Sequence, residues 1–310
     1  MPEPKIATSP VNSLNSGAAK VIILDDLSVS YKWNIPNLPN ILFVKGSITN
    51  DNDLKLVFHE KSTYIFHLAV FFVNQNSADY PEKDLMVGQL ETTELLEHCL
   101  LLRGAKQFVY ADSGCAIFWA LAPLLLEEDF VSLHLSTPYQ ISKMGGELYC
   151  NFYWHHYGLP VVKTRFFNSY GPGEVPGQYR NVIPNFIDCA LRNKPLVITG
   201  TGEETREFVY VSDVVNGTIS AALNKESVGE IFHMGSGECI SISSLAKMIV
   251  NLCNSKSTIE YTSSRSWDHI LHRRTSIEKA RSVLGYSPEI KIEKGLILMI
   301  EWMQKNAGLY

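Results

Sequence analysis

Thr137-Pro138-Tyr139-Gln140-Ile141-Ser142-Lys143 is the stretch on which the reading of this chain turns. A tyrosine and a lysine stand four residues apart at what reads as the opening of a helix, and positions i and i+4 of a helix share a face. An ammonium held against a phenol favours the phenolate and brings the tyrosine down from a reference of about 10, so that it exchanges a proton near neutral pH. Alone, the spacing is common; its neighbours give it meaning. Upstream, Lys106-Gln107-Phe108-Val109-Tyr110-Ala111-Asp112-Ser113 reads as a buried strand that ends at a serine. Downstream, Pro160-Val161-Val162-Lys163-Thr164-Arg165-Phe166-Phe167-Asn168-Ser169-Tyr170-Gly171-Pro172 reads as a strand running into a glycine–proline turn. Arg206-Glu207-Phe208-Val209-Tyr210-Val211-Ser212-Asp213-Val214 follows later.

Outward from these blocks, strands and helices alternate, which argues for a parallel sheet with helices on both faces. Short apolar runs at residues 20–25, 41–44, 62–69 and 228–234 read as further strands. Helices are expected over 84–102, 142–157, 181–191, 243–253 and 276–284, with Gly158 as a stop and Pro184 in a first turn, where its missing N–H is tolerated. Hydrophobic residues make up 45% of the 310 and charged residues 19%, enough for a sizeable core in one large or two modest domains. The net charge is 27 − 32 = −5 and no basic run stands out, which argues against nucleic acid as a partner. The longest apolar run, residues 116–126, is too short to cross a bilayer, so no membrane is expected. Residues 1–20 are rich in Pro, Ser and Asn and show no signal peptide. The cysteines (Cys99, Cys115, Cys150, Cys189, Cys239, Cys253) are scattered without Cys-x-x-Cys pairs. They read as reduced thiols of a cytoplasmic protein, and no metal site is expected.

The four blocks, in this order and at these separations, resemble the extended short-chain dehydrogenase/reductase family in its nucleotide-sugar epimerase/dehydratase branch, UDP-glucose 4-epimerase-like. The resemblance runs from about Lys20 to the C-terminus. It implies an α/β fold, a doubly wound parallel (Rossmann-like) sheet with a smaller α/β substrate lobe. Residues 1–165 would form the dinucleotide-binding domain and 166–310 mainly the substrate lobe, with the chain crossing between them. It also implies NAD as cofactor, a UDP-linked nucleoside-diphosphate sugar as substrate, and a homodimer built as a four-helix bundle from the helices that start at Asp84 and Ser142.

The resemblance assigns roles residue by residue. Ser113, Tyr139 and Lys143 would be catalytic: the serine hydroxyl on the sugar oxygen, the tyrosine as proton acceptor, the lysine as its electrostatic partner and a ligand of the nicotinamide ribose. Asp25 would accept hydrogen bonds from the adenosine ribose, and the backbone of His67-Leu68-Ala69 would lie along the cofactor. Asn168, the helix start at Asn181-Val182, Arg206, Arg265 and Asp268 would hold the sugar nucleotide, with Arg273 or Arg274 as substitutes for Arg265. Gly88 stands where such proteins often carry asparagine and would cost helix stability. After Ser113 come Gly114-Cys115-Ala116, without the acids that dehydratases and decarboxylases place there. Epimerisation through a transient 4-keto sugar is therefore the expected reaction, with a 4-ketosugar reductase or a dehydratase as alternatives.

One piece of the pattern is missing. Such a fold opens with a strand, a glycine-rich turn and a helix that together take the pyrophosphate. Residues 4–17 hold a single glycine, Gly17, and the space between Ile6 and Val21 barely admits a crossover helix. The phosphate loop and most of the first helix are expected to be deleted or replaced. A lost start, an inactive natural variant and a pocket rebuilt by another segment all remain open. A non-catalytic homologue that keeps the fold is the reading from a different class.

Overall fold

The apolar run ahead of Ser113 becomes an inner strand of a parallel sheet. The structure is a computed structural model that describes residues 17–71, 74–102, 104–117, 125–178, 180–264 and 271–309. In chain order its strands are β1 (Val21–Asp25), β2 (Ile41–Lys45), β3 (Tyr64–His67), β4 (Gln107–Ser113), β5 (Val161–Phe166), β6 (Ser169–Tyr170), β7 (Leu196–Thr199), β8 (Thr205–Glu207), β9 (Val209–Tyr210), β10 (Ile231–Met234), β11 (Cys239–Ser241) and β12 (Ile259–Thr262). Its α-helices are α1 (Asp51–His59), α2 (Asn74–Asp79), α3 (Pro81–Leu85), α4 (Glu91–Leu101), α5 (Pro138–Tyr157), α6 (Val182–Leu191), α7 (Val211–Leu223), α8 (Ile242–Leu252), α9 (Glu278–Leu284) and α10 (Ile292–Lys305).

Four strands pair in the order β10-β5-β4-β3, all parallel, with Tyr64 opposite Gln107 and Phe108 opposite Val161. Every residue of β4 except Ser113 is buried. A parallel strand covered on both faces needs such a continuous run rather than alternation. β1 and β2 form a separate parallel pair. Among the described residues no ladder joins that pair to the four-stranded sheet. The segment in which the glycine-rich turn was sought lies outside the described residues up to Gly17, which sits in a turn at φ 95°.

The long helix α5 lies against β4. It begins at Pro138, four residues before the start expected from the sequence, because Thr137 and Gln140 form a capping box and proline is pre-set for a first helical position. Gly158, at φ 69°, ends it as expected. Close approach to β4 is possible because residue 146 is glycine: a β-carbon there would come within 2.1 Å of the Tyr110 hydroxyl. The helix expected over 84–102 is divided into α3, a π-helical turn at Met86–Leu90, and α4.

Beyond residue 166 the chain builds a second core, from Tyr170 through Met303, around α6, α8 and α10. Its strands pair two by two: β6 with β9, β7 with β12, and β8 antiparallel with β11. β10 returns to the first sheet, and Phe232 and Met234 share a core there with Val109 and Val162. Among the described residues, no helix is long and apolar enough to cross a membrane, and no group of His, Cys, Asp and Glu could hold a metal ion.

Candidate active site

In an open parallel sheet the ligand crevice lies beyond the carboxyl ends of the strands. Asp25, His67 and Ser113 are the last residues of β1, β3 and β4. Ser113 is within hydrogen-bonding reach of the Tyr139 phenol, and its Oγ lies 3.0 Å from Cys115 Sγ. Tyr139 is placed by the start of α5. Its backbone N–H donates to Ser77 Oγ at 3.1 Å, and Thr137 Oγ1 donates to Asn74 Oδ1 at 2.7 Å. Gln140 fastens the helix start to the turn after Ser113: its Nε2 donates to the Cys115 carbonyl at 2.9 Å, while Oε1 accepts from Ser136 N at 2.8 Å. Lys143, one turn on, is buried; its Nζ donates to the Ala111 carbonyl at 2.7 Å and stands 5.0 Å from the centre of the Tyr110 ring.

These contacts correct one expectation. The phenol of Tyr139 is not acidified: burial pushes it well above the ordinary tyrosine value. The negative forms of Cys115, Asp112 and Asp84 push it the same way, and the Ser113 hydrogen bond draws it back only in part. Burial also pushes the Lys143 ammonium below its ordinary value. The resting pair is therefore a neutral phenol beside a lysine held by a carbonyl oxygen and a ring face.

On the expected cofactor side, Asp25 Oδ1 accepts from Leu27 N at 2.7 Å and from Ser30 Oγ at 2.6 Å, an acid closing its own turn. The His67 side chain is packed in the core rather than turned to a ligand. It is 4% exposed, its Nε2 pairs with Thr92 Oγ1 at 2.8 Å, and burial holds it neutral with a pKa of about 3. Leu68, by contrast, is 46% exposed, and an apolar face left open beyond a strand end suits a flat ligand.

On the expected substrate side the residues are fastened to their own surroundings. Asn168, at φ 29°, donates from Nδ2 to the Glu207 carbonyl at 2.7 Å. Asn181 is the N-cap of α6 and Val182 its first residue. There the Glu174 carboxylate accepts from both Asn181 N (3.3 Å) and Nδ2 (2.7 Å), which occupies the helix start expected to receive a diphosphate. Arg206 is 8% exposed and donates to the Thr205 carbonyl at 2.9 Å. Arg265 and Asp268 lie outside the described residues. Arg273 stands close enough to Cys115 to draw that thiol down against the upward push of burial, which brings it to the Ser113 side of the cleft.

Two groups escaped the sequence reading. Cys115, read only as one of the reduced thiols and given no role in the site, touches the hydroxyl of Ser113. Asp112 is fully buried beneath Lys143, beside Glu147 and Arg165. Its signal is in the sequence: an aspartate inside a largely apolar strand runs against strand preference.

The fold and the Ser113–Tyr139–Lys143 arrangement define an extended short-chain dehydrogenase/reductase. The chain belongs to the NAD dependent epimerase/dehydratase family, whose model matches residues 8–235. It is similar to the epimerase Mth375 of Methanothermobacter thermautotrophicus, with a TM-score of 0.95 and 44% identity over 98% of this chain and 90% of that one. The UDP-glucose 4-epimerase of Thermotoga maritima, solved with UDP-glucose, matches with a TM-score of 0.91 and 28% identity over 97% and 96% of the two chains. The enzyme WbmF of Bordetella bronchiseptica, in complex with NAD+ and UDP, matches with a TM-score of 0.85 and 34% identity over 99% of this chain and 92% of that one. An NAD cofactor site fits the strand-end geometry of Asp25, Leu68 and Ser113; the segment that precedes β1, expected to lack the glycine-rich turn, lies outside the described residues up to Gly17.

Proposed function

We propose that this protein is an NAD-dependent epimerase acting at the C4 carbon of a UDP-linked hexose. The observation that carries the reading is the Ser113 hydroxyl within reach of the Tyr139 phenol at the end of β4, with Lys143 one turn along α5. Asp25 would hold the adenosine ribose through Oδ2, and Leu68 and Ala69 would lie along the cofactor. NAD, when bound, supplies a reversible hydride acceptor. Ser113 would orient the sugar 4-hydroxyl by hydrogen bonding, and Tyr139 would take its proton and give it back to the same oxygen when the 4-keto sugar, turned over, is reduced on its other face. A buried Lys143 favours the transient phenolate once the site is filled and water is excluded. With no acid at positions 114–116, elimination of water or loss of carbon dioxide lacks its carboxylate. Asn168, Asn181, Val182, Arg206 and, outside the described residues, Arg265 and Asp268 would take the nucleotide, with Arg273 close to the sugar.

The supporting architecture is a cofactor lobe over residues 1–165 and a substrate lobe over 166–310. A homodimer would form through the outer face of α4 and α5, a reading supported by the exposure of Leu101, Ile141, Leu148, Tyr149 and Phe152 there. A large exposed apolar patch of this kind marks an association surface. A cytoplasmic place in carbohydrate metabolism accords with this reading.

The test is incubation of the purified chain with NAD and, separately, UDP-glucose, UDP-N-acetylglucosamine and UDP-glucuronate, followed by NMR of the sugar. Appearance of the C4 epimer of one of them is expected. No epimer from any of them would overturn the reading. The separation of β1–β2 from the main sheet favours a second reading, a homologue that keeps the fold without turnover. Absence of NAD in the supernatant of denatured protein, together with no uptake of added NAD, would select it.

A further inference from the structure

Asp112 is the residue whose surroundings are hardest to explain as an ordinary carboxylate. It is 3% exposed, and neither carboxyl oxygen meets a hydrogen-bond donor. A buried carboxylate without a donor is among the most costly arrangements in a protein. The nearest cation does not relieve it. Arg165 directs Nε and Nη2 to the two oxygens of Glu147, at 3.0 and 2.9 Å, and Nη1 to the Glu128 carbonyl at 3.0 Å. Its approach to Asp112 is a longer 3.6 Å. Lys143 donates to the Ala111 carbonyl instead. What does lie within hydrogen-bonding reach of Asp112 is the carboxyl of Glu147, and two carboxyls bond only with a proton between them.

We propose that Asp112 is a buried carboxylic acid that donates its proton to the Glu147 carboxylate, and that this bond is a positioning device for the Ser113–Tyr139–Lys143 site. Asp112 directly precedes Ser113, and Glu147 follows Lys143 by one helical turn, so the bond ties the end of β4 to the turn of α5 that carries the lysine. The groups facing Asp112 agree. From α5 come Tyr139, Lys143, Glu147 and Cys150, from β5 Arg165, from its own strand Tyr110, and from the turn after it Cys115. Burial and Glu147 push Asp112 well above the usual carboxylate range, more than Arg165 and Lys143 draw it down. Burial alone would raise Glu147, yet the Asp112 hydrogen bond and Arg165 hold it below its ordinary value. An uncharged Asp112 also leaves the Lys143 ammonium with no anion on its sheet side, so that its field reaches the phenol.

The positioning half of this proposal rests on the epimerase reading; the protonation half does not. The infrared spectrum of the protein in heavy water at neutral pD is expected to show a protonated-carboxyl stretch that D112N removes. An amide is uncharged, has the same shape and offers an N–H to Glu147. D112N is therefore expected to keep kcat and the pH profile of kcat/KM within about twofold of wild type. D112A, which cuts the tie, is expected to lower kcat by about tenfold or more while KM moves by less than about threefold. An unchanged carboxyl band in D112N, or a shift of its pH profile by about a unit, would mean that Asp112 is ionised and would overturn the proposal. D112A with wild-type kinetics would remove the positioning role. Should D112A fail to fold, the infrared comparison and the D112N profile still decide. A wild-type protein without epimerase activity would sink the functional reading and the positioning role, while the carboxyl band would still test the acid pair.

Discussion

Gly88 and Ser142 touch across the interface between the π-helical turn and α5: a β-carbon at Gly88 would lie 2.6 Å from the Ser142 β-carbon. The glycine is thus a requirement of packing and not merely a loss of helix stability, which revises the sequence reading of this position. The Ser142 hydroxyl on the same spot donates to Asp84 Oδ2 at 2.5 Å, so the serine cannot turn aside freely. Gly88→Ala is expected to destabilise the protein by about 1–3 kcal/mol through overpacking. Urea unfolding checks this; an unchanged midpoint would show that the contact gives way at no cost.

Tyr139→Phe keeps the ring and removes the proton. It is expected to lower kcat by about a hundredfold or more, the scale of a lost general acid–base group, while UDP binding stays within about threefold. Ser113→Ala is expected to lower kcat with a smaller change, since the phenol keeps its place. Steady-state kinetics on the sugar identified as substrate, with UDP titration calorimetry alongside, separates the two effects.

Glu174 gives a pH dependence. Burial raises it from 4.5 to about 7 against the lowering pull of its bonds from Asn181. The folded chain therefore binds this proton more tightly than the unfolded chain does. Its contribution to stability is complete below pH 4.5 and is lost as the pH rises through about 7. Glu174→Gln is expected to flatten the decline of Tm across that window. If a diphosphate meets the start of α6, the same variant should bind UDP more tightly above pH 7, by roughly fivefold for a like charge removed about 4 Å away. Equal pH profiles for variant and wild type would refute both statements.

Phe152 and Leu148 stand 48% and 57% exposed on the outer face of α5. Phe152→Glu would place a charge in the centre of the proposed association surface and is expected to yield monomers in light scattering, with helix content unchanged. A wild-type protein that is already monomeric at all concentrations would discard that surface.

Local pattern carried much of the reading. The strand before Ser113 and the stop at Gly158 followed from an apolar run and a glycine, and the proximity of Tyr139 to Ser113 from the family resemblance. The start of α5 was legible too, in Thr137-Pro138 followed by Gln140, but was read too late along the chain. What the sequence concealed were pairings between distant elements. His67 bonds Thr92, Glu174 reaches Asn181 through a folded turn, and Asp112 meets Glu147 only because β4 packs on α5. The elevated phenol of Tyr139 belongs to the same group, because burial, which spacing does not reveal, is the largest influence on it. No period or spacing encodes such contacts; they arise when elements pack.

The 20 residues of α5 work as a single rod with two occupied sides. Chemistry-bearing groups press on the sheet from one side, and bare aromatic and aliphatic groups wait on the other. With glycine at positions 145 and 146 bringing Gln89 and Tyr110 hard against it, the rod has little slack to absorb a push. Whatever docks outside would be felt at the phenol. If a second copy is what docks there, turnover per chain should fall on dilution as that copy is lost.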